Sequence, residues 1–441
     1  MDESTNSDIQ HEPDGQQYVD VQIEENASTE SGQQYIELVN DMTEMLNNLE
    51  PPLSTDSCIY RVPYDLRKWN EESYTPKVVS IGPFHRGNGR LQTMEKEKVR
   101  CLNSFLERVG LSLEELVSTI KQLERRIRCC YGEAIELKSN DFVKMILLDV
   151  CFILEVFWKY ERPYWSRDFP PWLHTSLVKD FILLENQIPF FIVERQYALL
   201  RSHRPLIQLT FCFFGELNVQ GFDAPPSMKI LHFTDLLRIF QLPQPLGRLC
   251  ERKEELVHHL YSATQLHEAG VKFKVSRSKC LLEFNFENGV LEIPCIRLEN
   301  RTETHIRNLM AFEQCHLFGE AYISDYYFML DFLINTSHDV DLLCGKGIMV
   351  NYLGDSRAAA SMINNLNNGI STVDMSIDYI RICKELNEFY DNPWHSWKAT
   401  LRREYFSSPW RTASTVAAVI FLVLTIIQTV CSIIQVVPKH K

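Results

Sequence analysis

The stretch FVKMILLDVCFILEVFWKY, residues 142–160, is apolar on nearly every side when it is wound as an α-helix. A helix that is apolar all round is buried, either in the core of a large protein or in a membrane. Lys144, Asp149, Glu155 and Lys159 interrupt the stretch with charges, and charges are costly inside a bilayer. The stretch therefore predicts the central buried helix of a water-facing body.

The sequence on both sides of this stretch predicts further helices. Ser112 and Glu115 have the spacing of a capping box and precede a one-sided apolar stripe. Ser262 and Gln265 have the same spacing, and Gly270 is placed to close a short helix after them. The body is therefore predicted to be mostly helical.

Residues 177–187 continue the apolar core until Pro189, which breaks the chain and opens a new helix, PFFIVERQYALL. Glu185, Asn186 and Gln187 lie between the two apolar runs. Buried polar groups in such a place must be hydrogen-bonded. We expect these three side chains to cap the broken ends of helices, and a catalytic role for Glu185 is the alternative.

The clearest β signal lies in residues 271–298. Apolar and polar residues alternate before Asn288–Gly289, and the alternation resumes after this pair. Asn-Gly is suited to a two-residue turn in which both residues have positive φ. The pattern predicts one β-hairpin, with helices returning from Thr302 onward. The predicted fold class is mainly α with a small β-hairpin or sheet (α+β), in a body spanning residues 58–405.

The C-terminal stretch 410–437 is predicted to be a transmembrane anchor. Residues 412–437 carry no charge, and about 20 apolar residues suffice to span a bilayer as a helix. Pro409 can open this helix, and the aromatic Trp410 suits the membrane interface. The predicted anchor positions are Trp410, Thr412, Val416, Ile420, Leu424, Ile427, Val430, Ile434 and Val437.

The flanking sequence predicts a single-pass topology with the body in the cytosol. The N-terminus lacks the features of a signal peptide, and basic residues are more numerous before the anchor than after it. The length of the anchor favours a thick bilayer such as the plasma membrane. Asn26, Asn300 and Asn335 begin glycosylation sequons that would be used only in a lumenal body.

Residues 1–50 form an acidic leader. Residues 1–60 contain fourteen Asp or Glu and no Lys or Arg, whereas the rest of the chain is close to neutral. Residues 1–34 have too few apolar groups to fold and are predicted to be disordered, followed by a short acidic helix over 35–49. The leader is either a docking segment for a basic partner or a solvated extension, and its composition favours the extension. This distribution of charge argues against nucleic-acid binding.

Several motifs together resemble a known plant family. They are VVSIGPFH (78–85), LLDVCFILEVF (147–157), LLENQIPFF (183–191), RNLMAFEQC (307–315) and FSSPW (406–410) before the anchor. In this order the chain resembles domain of unknown function 247, also called uncharacterised protein family 0481. The resemblance implies a plant membrane protein without an accepted activity, cofactor or catalytic residue. Some relatives are associated with reproductive recognition in grasses, which favours an interaction role.

The chemistry of the residues does not indicate an enzyme. The sequence lacks GxSxG, HExxH, CxxC and a phosphate-binding GxxxxGK[ST], and His258, His259 and His267 lack partners at metal spacing. We therefore predict no catalytic, cofactor or metal site and no small-molecule substrate. The predicted function is interaction with unknown protein partners at a lipid bilayer. The alternative is a hydrolase or transferase with an unfamiliar site near His85 and Glu185, where Arg86 and Arg90 follow in a Gly-rich turn.

Overall fold

A computed structural model describes residues 28–47, 55–162, 170–200, 202–223, 225, 228–243, 249–393 and 409–436. The chain divides into two compact units, Met1–Pro52 and Leu53–Lys441. The second unit holds the body and the C-terminal helix. Its fold is α+β and mainly helical, as predicted.

Helices make up most of the described chain. The first unit contains α1 (Ser28–Asn47). The second contains α2 (Tyr64–Arg67), α3 (Gln92–Val109), α4 (Leu113–Cys129), α5 (Ser139–Tyr160), α6 (Pro171–Phe181), α7 (Phe190–Ala198), α8 (Leu206–Phe213), α9 (Phe233–Gln241), α10 (Ala263–Glu268), α11 (Thr302–His316), α12 (Tyr322–Leu333), α13 (Ser337–Gly345), α14 (Ser356–Leu366), α15 (Ile377–Asp391) and α16 (Pro409–Val436).

The prediction that α5 is the central buried helix is confirmed. Every residue from Phe142 to Phe157 except Lys144 is buried. Helices α3, α4, α7 and α8 pack against it. Near its C-terminal end Phe157 lies 4.9 Å from the ring of Phe213, which in turn contacts Phe181 of α6 at 5.8 Å. Aromatic contacts of this kind add to the stabilisation that burial alone provides.

Both predicted capping boxes form. The Ser112 side chain accepts a hydrogen bond from the backbone N–H of Glu115, and the Glu115 side chain accepts one from the backbone of Ser112. Ser262 and Gln265 make the equivalent pair at α10. Gly270 has φ of +107° just after that helix, which suits its predicted closing role.

Three small sheets replace the single hairpin sheet that the sequence predicted. The strands are β1 (Arg252–Lys253), β2 (Lys272–Val275), β3 (Asn285–Glu287), β4 (Val290–Ile293), β5 (Ile296–Leu298), β6 (Met349–Asn351) and β7 (Met375–Ser376). Strand β4 lies between antiparallel β3 and parallel β2. The other sheets are antiparallel β1–β7 and parallel β5–β6. The alternation along the chain predicted only the β3–β4 hairpin, because the strands of the other pairs are separated by longer segments of the chain.

The predicted hairpin turn is confirmed. Asn288 and Gly289 have φ of +51° and +73°, and Glu287 pairs with Val290 on either side of them. Positive φ at both central positions is the requirement of a type I′ turn. A Cβ on Gly289 would also lie 2.9 Å from the ring carbon Cε2 of Phe389, so both the backbone conformation and the available space require glycine at this position.

Helix α1, in the N-terminal unit, starts earlier than the sequence predicted. It begins at Ser28, seven residues before the start predicted for the short acidic helix. Further along α1, apolar residues recur at helical spacing and their side chains are exposed: Tyr35, Leu38, Val39 and Met42. Residues 1–27 and 48–49 lie outside the described part of the chain.

Helix α16 begins at Pro409, as predicted. Within the described residues, one helix is long and apolar enough to cross a bilayer, and the qualifying stretch is Thr412–Ile433. None of that stretch is buried. Of the predicted anchor positions, Trp410, Val416, Ile420, Leu424, Ile427 and Val430 have exposed side chains, Thr412 is half-buried, Ile434 belongs to the helix, and Val437 lies outside the described residues.

Candidate functional site

The site that sequence analysis singled out is built around an irregular segment, residues 77–82, which we call the strap. It belongs to no helix or strand, yet residues 79–82 are buried. Asp180, at the end of α6, accepts hydrogen bonds from the backbone N–H groups of Lys77, Val78 and Val79 at 2.7–2.9 Å. A buried carboxylate thus supplies the hydrogen bonds that a neighbouring strand would otherwise provide.

The second half of the strap is held in the same way. The side-chain oxygen of Asn186 accepts from the N–H of Ile81 at 2.7 Å, and Asp149 of α5 accepts from Gly82 at 2.8 Å. Gly82 has φ of +74°, and a Cβ there would lie 2.4 Å from the carbonyl oxygen of Gln187. Only glycine allows the strap to approach residue 187 this closely.

Lys98 of α3 provides the positive charge beneath the strap. Its side chain is 2% exposed and lies 2.6 Å from Asp149 and 2.5 Å from Glu95. It also donates to the carbonyl of Ser80. Burial lowers the pKa of Lys98, but the two neighbouring carboxylates outweigh it and raise that pKa above its usual value. The buried ion pair is therefore satisfied by both charge and hydrogen bonding.

The expectation that the Glu185–Asn186–Gln187 segment caps helix ends is confirmed for its last two residues. The Asn186 side-chain nitrogen donates to the carbonyl of Asp180, and that of Gln187 donates to the carbonyls of Phe181 and Leu183. These carbonyls lie at or just after the C-terminus of α6. The Gln187 side-chain oxygen accepts from the N–H of Phe233, the first residue of α9. One amide thus joins the end of one helix to the start of another.

Glu185 has a different role, and the structure brings it together with His85. Its carboxylate is fully buried and lies 3.1 Å from Nε2 of His85, at ion-pair distance but without the alignment of a hydrogen bond. The other oxygen accepts from the backbone N–H of Val62 at 2.7 Å and contacts the guanidinium of Arg67. His85 and Arg67 are only slightly exposed, with 11% and 20% of their side chains accessible.

The electrostatics of this cluster keep Glu185 ionised. Burial raises the pKa of a carboxyl group, but the polar contacts with His85 and Arg67, together with the charge of Arg67, outweigh burial and lower the pKa of Glu185. An ionised carboxylate with partners on both oxygens is well suited to joining three segments of chain. It can also orient His85, as a general base would require.

The Gly-rich turn after His85 uses its own backbone groups. The N–H of Arg86 donates to the carbonyl of Pro83, and the N–H of Asn88 donates to that of His85. The Arg86 guanidinium donates to the carbonyl of Asp141. These groups are therefore engaged within the protein, as in an ordinary turn, rather than directed together at an anion.

The histidines considered as metal ligands lie apart from this cluster. His259 packs edge-on against Tyr261 at 4.7 Å, and Nδ1 of His267 lies 3.1 Å from the carbonyl of Val271. Across the described ranges, no group of three or more His, Cys, Asp or Glu residues is arranged to hold a metal ion.

Comparison with known proteins identifies the family. The profile of DUF247, described as a plant protein of unknown function, matches residues 59–424. This chain belongs to the DUF247 family. Two related proteins of Arabidopsis thaliana carry the equivalent name UPF0481, which agrees with the resemblance of the motifs.

The relatives are similar to the DUF247 chain along most of its length. UPF0481 protein At3g47200 is 29% identical over 429 residues, which cover 89% of this chain and 90% of the relative. Putative UPF0481 protein At3g02645 is 22% identical over 475 residues, which cover 84% and 89%, respectively. No solved structure matches the chain.

The DUF247 motifs meet one another in the fold. The strap contains the VVSIG motif. The side chains that accept its hydrogen bonds come from the KDFILLENQ and LLDVC segments: Asp180, Asn186 and Asp149. His85, three residues after the strap, contacts Glu185 of the LLENQ segment. Sequence reasoning identified His85 and Glu185 but did not predict that Asp180 and Asp149 hold the strap or that Lys98 pairs with Asp149. The available signal was a charged residue within an apolar run, which indicates a buried partner.

Proposed function

We propose that this DUF247 protein is a membrane-anchored interaction module, with a folded body held on the cytosolic side of the bilayer by one C-terminal span. Tethering would raise the local concentration of the body for protein partners at the same membrane. The observation that carries the proposal is the contrast between two apolar helices, α5 and α16.

Helices α5 and α16 are both long and apolar, but their surroundings differ. In α5 the residues from Phe142 to Phe157 are buried with one exception, and its charges Asp149 and Glu155 pair with Lys98 and Arg108. In α16 the stretch Thr412–Ile433 is uncharged and unburied. Leaving so much apolar surface in water is unfavourable, and burial in a hydrocarbon core removes that cost.

The body supports an interaction role through what its polar residues contact. Asp180, Asn186 and Gln187 are fully engaged with backbone groups, so these family motifs maintain a shape. A rigid shape presented at a membrane is what a recognition protein needs, because preorganisation lowers the cost of binding.

The cytosolic orientation has a direct test in the sequons. Asn300 and Asn335 are both exposed in the body and are therefore accessible to glycosylation in a lumenal protein. We expect no glycan on either residue when the full chain is expressed in plant cells. A glycosidase-sensitive shift in gel mobility that is lost in Asn300→Gln or Asn335→Gln would reverse the topology.

The interaction role is tested by purification of the full chain from native membranes with partner identification. We expect one protein to co-purify in a defined ratio and to bind the purified chain directly in a nanodisc. A matched chain with the body deleted and α16 retained controls for association through the anchor. Equal recovery of the same proteins with this control would contradict the proposal.

A hydrolase or transferase is the second candidate, and the 3.1 Å contact of His85 with Glu185 favours it. In such an enzyme Glu185 would orient His85, which would act as the general base. The discriminating variant is His85→Gln in the full chain. Loss of a turnover found by substrate screening, with partner binding retained, would favour the enzyme.

A further inference from the structure

A second site lies far along the chain from the His85–Glu185 cluster. It is a half-enclosed cavity of about 250 Å³ between strand β7, the start of α15 and the segment before β3. Its walls include three aromatic rings, a thiol and two carboxylates. We call it the aromatic pocket; the side chains used below are Phe284, Tyr322, Tyr379, Cys250, Glu283 and Asp378.

The walls of the aromatic pocket are fixed by hydrogen bonds that occupy the tyrosine hydroxyls. Tyr379 donates to the carbonyl of Leu282 at 2.7 Å, and Tyr322 donates to the carbonyl of Cys250 at 3.0 Å. Phe284 packs against Tyr379 with ring centroids 5.8 Å apart. With the hydroxyls engaged, the rings contribute mainly their faces and edges to recognition.

Negative charge lies at the mouth of the aromatic pocket. Glu283 is exposed, and the Asp378 side chain is 49% exposed. The Cys250 thiol contacts Asp378, and burial, followed by hydrogen bonding to this carboxylate, raises the pKa of Cys250 to about 11. The thiol is therefore protonated at neutral pH and leaves the negative charge of Asp378 in place.

The arginines nearest the mouth are shared with other carboxylates. Among the residues that the structure describes, with 244–248 outside them, the side chains that line this cavity include no Lys, Arg or His. Arg252 lies over the Tyr322 ring at 5.3 Å but is paired with Asp325 and Asp374. Arg381 is 3.8 Å from Asp378 and closer, at 3.0 Å, to Glu385.

We propose that the aromatic pocket binds an organic cation, an ammonium or guanidinium group, presented as a Lys or Arg side chain of a protein partner. Aromatic faces attract such cations, and carboxylates at the rim complete the recognition. The volume admits one side chain with its aliphatic stem. This inference rests on the proposed interaction function and names the chemistry that one of its surfaces would recognise.

The test uses the full chain in nanodiscs and ligand-observed NMR titration. The probes are choline and its uncharged analogue in which carbon replaces nitrogen, together with lysine and arginine whose termini are blocked. We expect the cations to bind on the order of tenfold more tightly than the uncharged analogue, because only they gain the cation–π and charge contributions. Equal binding of choline and its analogue, or no binding of any cation, would overturn the inference.

Variants locate the binding. Asp378→Asn and Glu283→Gln keep the size of the side chains and should each weaken cation binding by roughly threefold, the range of an exposed ion pair. Glu287→Gln, at an exposed carboxylate that lines a different cavity, is the matched control and should change nothing. Cation binding that survives the double variant Glu283→Gln/Asp378→Asn unchanged would place the ligand elsewhere and overturn the inference.

The outcomes separate this inference from the proposed function. A chain that captures a protein partner through its body but binds no cation leaves the interaction function standing and removes the aromatic pocket from it. Binding of choline without binding of blocked lysine or arginine would make the ligand a free quaternary ammonium compound and contradict the assignment to a protein side chain. Binding of the blocked amino acids, competed by the purified partner, is the expected result.

Discussion

Buried carboxylates in this DUF247 protein repeatedly take the place of secondary-structure partners. Glu313 of α11 accepts from the backbone N–H groups of Ile323 and Ser324 at the start of α12, and it lies 3.3 Å from Arg238. The first N–H groups of a helix have no partner within the helix, and negative charge is favourable there. At the residue scale, burial of charge in this fold is therefore mostly a means of completing backbone hydrogen bonds.

His232 is a buried residue whose ionisation can be tested. Its Nδ1 accepts from the N–H of Asp235 at 3.3 Å, so the proton lies on Nε2, which is 2.9 Å from the carbonyl of Cys58. Burial lowers the pKa of His232 to about 3. Protonation would place a donor on Nδ1 against the N–H that it now accepts.

We therefore predict that His232 makes the body less stable in acid. Between its unfolded pKa near 6.5 and its folded pKa of about 3, the unfolded state binds the extra proton. The free energy of unfolding should fall with decreasing pH by up to about 1.4 kcal/mol per unit from this residue. Chemical denaturation from pH 7 to pH 4 should show a shallower decline in His232→Asn than in the unaltered protein. Parallel pH profiles would refute the assignment.

Gly289 provides a second test at the residue scale. In Gly289→Ala the new Cβ meets Phe389 and the residue keeps its positive φ, so we expect a loss of about 1–3 kcal/mol in unfolding free energy. Gly89→Ala is the matched control, because its Cβ would meet nothing within 4 Å and its φ is not positive. Similar melting temperatures for the two variants would contradict the account of the turn.

At the scale of elements, the strap shows how an irregular segment is stabilised at the centre of a helical protein. Its N–H groups are distributed among acceptors from α5, α6 and the segment after α6. Each acceptor depends on a helix that is itself buried, so strap and helices stabilise one another. An unpaired backbone N–H at this depth would be costly.

Removal of one acceptor should therefore lower the unfolding free energy of the body. Asp180→Ala leaves the N–H groups of Lys77, Val78 and Val79 without their acceptor, and we expect a loss of about 3–5 kcal/mol in unfolding free energy. Asp65→Ala removes a carboxylate that is 76% exposed and paired only with Lys68 among the ion pairs described here. That control should change stability by less than about 0.5 kcal/mol. An equal effect of the two substitutions in urea denaturation would rule out a structural role for Asp180.

At the scale of the whole molecule, α16 should determine membrane attachment. Deletion of residues 410–441 removes the stretch Thr412–Ile433 and should release the body into the soluble fraction. The full chain should stay in the pellet after carbonate extraction. The matched control replaces Val416, Ile420 and Leu424 by Ala, which shortens the apolar surface without removing the helix, and should weaken but not abolish attachment. Persistent integration of the truncated chain would refute a single anchor.

The N-terminal unit should be dispensable for folding of the body. Residues 1–52 form a separate compact unit, and the described side chains of α1 from residue 34 to residue 46 are exposed. We expect the melting temperature of the body to be the same after deletion of residues 1–52, because the described hydrophobic core of the body is built from residues of the second unit, beginning at Cys58. A shift of several degrees, measured by calorimetry on the chain without residues 410–441, would show that the leader stabilises the body.

Sequence patterns were sufficient wherever the deciding interactions are local. The apolar composition of 142–160, the two capping boxes, the Asn288–Gly289 turn and the uncharged stretch 412–437 each depend on residues within a few turns of helix or strand. Alternation also marked the β3–β4 hairpin, whose strands are adjacent in the chain. Periodicity and spacing carry this kind of information because neighbours in sequence are neighbours in space.

The start of α1 was missed because polar residues conceal its first turns. Ser28 to Gln34 contain no apolar periodicity, so composition alone indicated disorder. The helix nonetheless extends to Ser28. Helix boundaries depend on small differences in propensity and capping that a polar sequence does not display.

The fold class, the central helix, the hairpin and the candidate anchor could be predicted from the amino-acid sequence, because each follows from local hydrophobic pattern and turn chemistry. The folded structure was needed to show that His85 meets Glu185 across 100 residues of chain, that Asp180, Asn186 and Asp149 hold the strap, and that β2 joins β4 in parallel. It also decided which rings and carboxylates surround the aromatic pocket. These contacts join segments far apart in the chain, and the burial of the helices between them selects the partners, so no local pattern can specify them.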